Sequence, residues 1–83
     1  MLEEGVWAEV KVGSAHLRLF SEHNALGVQT SVYDVNTKRW IAPSEPVEDI
    51  EQGKERAIEY AKDHLGRVGV EIPSLIWKKS RSA

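Results

Sequence analysis

Few residues in this chain have types and spacings that do chemistry. The three histidines, His16, His23 and His64, fall on a strand, in a loop and on a helix by the patterns around them. No HxxxH or HExxH spacing brings two imidazoles onto one helical face, as a zinc centre on a helix requires. The 13 carboxylates include no pair isolated in apolar surroundings, where environments that push two pKa values apart support acid-base catalysis. Gly13-Ser14 and the stretch from Gly66 to Gly69 are too short to cradle a phosphate. Asp34 and Asn36 fit Asx-turn chemistry. The chain is therefore read as a non-enzyme, with no catalytic residues, no metal and no cofactor.

What remains is the chemistry of rings beside cations. Trp7, Phe20, Tyr33 and Trp40 are interleaved along the chain with Lys11, His16 and Arg18. Such residues, gathered on one surface, form an apolar contact patch or a platform on which bases stack. Whether they are gathered depends on the elements that carry them.

Composition bounds those elements. A chain of 83 residues makes one small domain that buries somewhat over 60% of its unfolded surface. Its apolar content of 41% and charged content of 29% suit a globular chain rather than a disordered one. Cysteine is absent, which excludes a disulfide framework, thiolate metal ligands and a cysteine nucleophile. A net charge of −2 and a pI near 5.9 give no global attraction to nucleic acid or to anionic membrane. No apolar run approaches the ~20 residues that span a bilayer, and the acidic start is unlike a signal peptide. A cytoplasmic location is the default expectation.

The firmest element is a helix from Asp49 to Gly66. Asp49 and Gln52 have capping-box spacing. Ile50, Ala57, Ile58, Ala61 and Leu65 recur at helical spacing over an arc of roughly 100°. Gly66 stands where a left-handed residue ends a helix, with Arg67 beyond it. Gly53 in the first turn invites a close approach or fraying. Glu51, Glu55, Glu59 and Asp63 form an acidic outer ridge, flanked by Lys54, Arg56, Lys62 and Arg67.

Before the helix the pattern has period two. Val6 to Val12 and Ala15 to Ser21 alternate on either side of Gly13-Ser14, a two-residue turn that fixes the register. Val12 then faces Ala15, Lys11 faces His16, Glu9 faces Arg18 and Trp7 faces Phe20. Glu22 to Ala25 reads as a loop, Leu26 to Asp34 as a third strand and Arg39 to Ala42 as a short fourth. If Asp34 faces Arg39, Tyr33 faces Trp40 and Val32 faces Ile41. Pro43 and Pro46 bracket a linker of about six residues. Beyond the helix, Val70 to Ile72 offers a short strand, Pro73-Ser74 a turn, and Leu75, Ile76 and Trp77 an apolar triplet that must pack. The expected fold class is α+β: an antiparallel four-stranded meander, covered on one face by a single C-terminal helix (β-β-β-β-α), in two layers with a short C-terminal extension. Residues 1–77 form the domain and residues 78–83 a basic, disordered tail.

Alternation sends Val6, Ala8, Val10, Val12, Leu17, Leu19, Val28, Val32 and Ile41 toward the helix. It sends Trp7, Glu9, Lys11, His16, Arg18, Phe20, Gln29, Ser31, Tyr33 and Trp40 to the other face. A face turned only to water does not concentrate rings in this way. Three explanations stand. The C-terminal triplet folds back over the face, a second copy covers it, or a ligand does. The leading expectation is a protein-protein interaction module, most simply a homodimer, with Trp7, Lys11, His16, Arg18, Phe20, Tyr33 and Trp40 as binding residues and no membrane contact. The alternative is single-stranded nucleic acid on the same residues.

The order β-β-β-β-α is similar to that of the Whirly and Pur-type single-strand binders, and that resemblance implies a nucleic-acid surface on the sheet. It is one of topology, and their sequence motifs are absent here. The segment GKERAIEYAKDHL resembles the last helix of double-stranded RNA-binding domains in its Lys/Ala texture, but no other helix precedes it and its outer face is acidic. It is also similar to the helix that ends small HicB-like antitoxin sheets.

Overall fold

A computed structural model describes residues 2–25, 27–67, 72 and 75–79, with residues 2–4 and 24 as backbone alone. Leu26, Val70, Glu71, Pro73, Ser74 and residues 80–83, for which loop, strand, turn or tail was expected, lie outside the described residues.

Four antiparallel strands, β1 (Leu2–Val12), β2 (Ala15–Asn24), β3 (Gly27–Asp34) and β4 (Arg39–Val47), precede one helix, α1 (Ile50–Gly66). A two-residue strand, β5 (Lys78–Lys79), follows, and the sheet order is β4-β3-β2-β1-β5. This is the two-layer α+β arrangement read from the sequence. Among the described residues no helix is long and apolar enough to cross a membrane.

The first hairpin has the expected register: Val12 opposite Ala15, Lys11 opposite His16, Glu9 opposite Arg18 and Trp7 opposite Phe20. Gly13 supplies the left-handed φ of 59° that a primed turn needs at its first central position. The strands run further than expected. β1 starts at Leu2 and β2 continues through Glu22 and His23 to Asn24, so His23 is a strand residue rather than a loop residue.

Two corrections concern β4. It continues through Pro43 and Pro46 to Val47 instead of ending at Ala42. An outermost strand tolerates proline, because its missing N–H can face solvent. In addition, Ala42 rather than Ile41 lies opposite Val32, because the register shifts on both sides of Val32. Tyr33 opposite Trp40 and Asp34 opposite Arg39 are as expected. The shift buries the small Ala42 and leaves Ile41 half-buried.

The core lies between the sheet and the helix stripe: Val10, Leu17, Leu19, Val32 and Ala42 against Ala57, Ala61 and Leu65. Asp49 caps α1, its carboxylate accepting from Gln52 N at 2.8 Å, while Gln52 Oε1 accepts from Glu48 N at 2.7 Å. The reciprocal bond thus reaches one residue further back than in a standard capping box. Gly66 does not take the left-handed role: it is helical and Arg67 follows at φ −65°.

Gly53 marks the closest contact of the layers. A Cβ there would lie 2.0 Å from Ser21 Oγ and 2.9 Å from Ser21 Cβ. Ser21 and Thr30 are fully buried. Ser21 Oγ donates to Ile50 O at 2.8 Å, and Thr30 Oγ1 donates to Gly53 O at 2.8 Å with Phe20 O also in reach at 3.0 Å. Two sheet hydroxyls therefore grip the first turn of the helix, and glycine is what lets them reach it.

Candidate functional site

The face of the sheet opposite α1 carries all seven residues singled out from the sequence. The strand pairs put Trp7 beside Phe20 and Tyr33 beside Trp40. Tyr33 and Trp40 meet edge to face, with centroids 4.9 Å apart at 60°. Trp40 also reaches Phe20, two strands away, at 6.0 Å and 53°. The residue of β3 opposite Phe20 is Ser31, small and buried. A larger side chain there would hold the rings apart. Both ring pairs have the tilted geometry that the aromatic quadrupole favours. Trp7, Phe20 and Tyr33 are half-buried, whereas Trp40 is 54% exposed, an uncommon position for the largest apolar side chain.

Beside the rings lies a charged cluster built on Glu9. His16 Nε2 donates to Glu9 Oε2 at 2.7 Å, and Arg18 Nε donates to the same oxygen at 3.3 Å. The His16 bond, followed by the Arg18 bond and the field of Lys11, holds the Glu9 carboxyl below its ordinary pKa against a partial desolvation. Lys11 and Arg18 stay exposed. The carboxylate neutralises part of the positive charge, and the cluster presents cations outward.

Among the described residues of the C-terminal segment, the apolar Leu75 and Trp77 do not cover this face. Leu75 and Trp77 pack against the helix-side core, and Lys54 of α1 sits 5.7 Å from the Trp77 ring centroid. Ile76 is 78% exposed. Lys78, expected in the tail, pairs with Trp7 in β5 and places its ammonium 5.0 Å from the Trp7 ring centroid. Alternation through 75–79 carries the missed signal: Leu75 and Trp77 face the helix side, which turns Lys78 to the outer face.

A second polar cluster joins β4 to α1. Arg56 forms a fork to Glu45, with Nε and Nη2 at 3.2–3.3 Å, and its Nη1 donates to Glu59 at 3.0 Å. Its Nη2 also donates to the Tyr60 hydroxyl at 3.1 Å, over a ring centroid 4.9 Å from the guanidinium. The Arg56 bond, then that of Tyr60, lowers the Glu45 pKa. These contacts tie the outer strand to the helix and engage all three guanidinium nitrogens. The acidic ridge is likewise partly paired: Glu51 with Lys54, Glu59 with Arg56 and Asp63 with Arg67.

Among the described residues no group of three or more His, Asp or Glu side chains is placed to hold a metal ion. Comparison with protein-family models, with curated proteins and with solved structures finds no match to this chain.

Proposed function

We propose that this chain is a non-enzymatic interaction module that works through its aromatic sheet face by protein-protein contact, in the simplest case with a second copy. The observation that carries this reading is the exposed Trp40, standing on Tyr33 and Phe20 on a face that Leu75 and Trp77 leave open. An exposed indole in a row of rings is the kind of anchor that dominates contact energy when a partner excludes water from it. The face also carries both signs of charge, Glu9 against Lys11, Arg18 and Lys78, so a two-fold contact can set carboxylate against cation.

Light scattering over a dilution series at micromolar concentrations tests it. The expected result is a concentration-dependent mass approaching that of a dimer, lost on Trp40→Glu with the far-ultraviolet spectrum unchanged. A strict monomer at every concentration would refute self-association.

A further inference from the structure

A second copy is one occupant of this face, and the chemistry of the face fits another. We propose that single-stranded nucleic acid is a ligand of the same surface, a step beyond the protein-contact reading.

Net charge is the argument against such a ligand, and the fold weakens it. The chain carries −2, but the layers divide that charge unevenly. Asp49, Glu51, Glu55, Glu59 and Asp63 belong to α1 and its cap, where they outnumber Lys54, Arg56, Lys62 and Arg67, and Glu45 turns to Arg56 on the helix side. On the outer face Lys11, Arg18 and Lys78 stand beside Glu9, whose Oε2 takes both His16 and Arg18. Among the described side chains, Glu22, two positions beyond Phe20 on β2, is the second acid on that side. Among the described side chains, a polyanion approaching the sheet therefore meets more cations than acids, with the acidic ridge behind the sheet.

The rings supply the rest. Trp40 is open to a stacking base, and the Trp7 ring carries an ammonium 5.0 Å from its centroid. A base on an aromatic face with its phosphate on a neighbouring cation is the repeating contact of single-strand binding, and it needs no sequence readout. The occupants also differ electrostatically. A second copy brings its own Lys11, Arg18 and Lys78 to the face along with its carboxylates, while a polyanion brings only negative charge to Lys11, Arg18 and Lys78. Both ligands need the same rings, so they exclude one another.

The test is titration with a short, mixed-sequence single-stranded DNA oligonucleotide at low salt, following tryptophan emission and scattered mass on the same samples. The expected result is a quench that weakens on Trp40→Ala by about five-fold or more, since one stacked base is worth about 1–3 kcal/mol. Log affinity should fall against log salt with a slope of roughly −2, as expected for about three phosphate contacts on a single strand. Lys78→Glu should weaken binding far more than Lys62→Glu, which makes the same change in net charge on the exposed side of α1. Absence of a quench at low salt overturns the proposal, as does equal loss in the two lysine variants or equal affinity for duplex DNA of the same sequence. The two readings separate cleanly. A dimer that ignores the oligonucleotide retains the protein-contact reading and sinks this one. A strict monomer that is quenched does the reverse.

Discussion

Replacing Gly53 by alanine tests the closest contact in the fold. Helix propensity alone favours the change, since alanine is better than glycine by about 1 kcal/mol within a helix. The packing opposes it. The new methyl would lie 2.0 Å from Ser21 Oγ. Rotating the serine away breaks its 2.8 Å bond to Ile50 O and strands a buried hydroxyl, at a cost of about 1–3 kcal/mol. Rotation does not help Ser21 Cβ, still 2.9 Å away, so helix and sheet must separate, and overpacking of this kind costs about 1–3 kcal/mol. The balance is a loss of roughly 2–4 kcal/mol, or on the order of 10 °C or more in Tm for a domain of this size. Urea denaturation followed by circular dichroism measures it. The double variant Ser21→Gly/Gly53→Ala removes the clash and should be at least about 1 kcal/mol more stable than the two single losses summed. A neutral or stabilising Gly53→Ala would show that propensity wins and that the contact is looser than described.

Lys38 holds φ at 57° in the turn after Asp34. A non-glycine residue there costs about 1–2 kcal/mol, partly offset by glycine's greater entropy loss, so Lys38→Gly should stabilise by about 0.5–1 kcal/mol in the same assay. Glu9 and Glu45 have lowered folded pKa values, held down chiefly by His16 and Arg56. Their contribution is therefore present above the ordinary carboxylate pKa of about 4.5 and lost as pH falls through the lower folded values. Arg56→Ala should flatten that acid limb in a pH series of urea midpoints, and an unchanged limb would contradict the assignment. Truncation after residue 77 removes, among the described residues, the two β5 pairs and the Lys78–Trp7 contact, a loss of about 1 kcal/mol or less. Truncation before Leu75 also removes Leu75 and Trp77 from the core edge and should cost more than ~2 kcal/mol; equal midpoints would refute the division.

The sequence makes the local order of this fold readable and hides some of its long-range consequences. Asp49 with Gln52, the 3.6-residue stripe, and Gly13 between two alternating runs each specify their own element, so α1 and the first hairpin emerge with their register. The extent of β4 was hidden because Pro43 and Pro46 signal a break, and only the strand's place at the sheet edge makes them tolerable. The shift that puts Ala42 opposite Val32 has no mark in the sequence, since Ile41 and Ala42 are both apolar. Gly53 reads as a weak helix residue until Ser21 and Thr30 are seen to reach across from the other layer. For the candidate site, alternation places Trp7, Lys11, His16, Arg18, Phe20, Tyr33 and Trp40 on one face. It does not show that Leu75 and Trp77 turn to the other side, nor that Lys78 joins the rings.

On the proposed reading, the contact surface is the sheet face bearing Trp7, Phe20, Tyr33 and Trp40. The chain's three tryptophans test this within one sample, because Trp7 and Trp40 lie on that face and Trp77 packs on the helix side. Indole and backbone amide chemical shifts are recorded for the labelled protein as it is diluted from millimolar to micromolar concentration. The Trp7 and Trp40 indole signals and the amides around Arg18 and Tyr33 should move together on a single binding curve, while the Trp77 indole and the amides of Glu55 and Glu59 stay fixed. Shifts confined to the helix, or no shifts across the series, would contradict it.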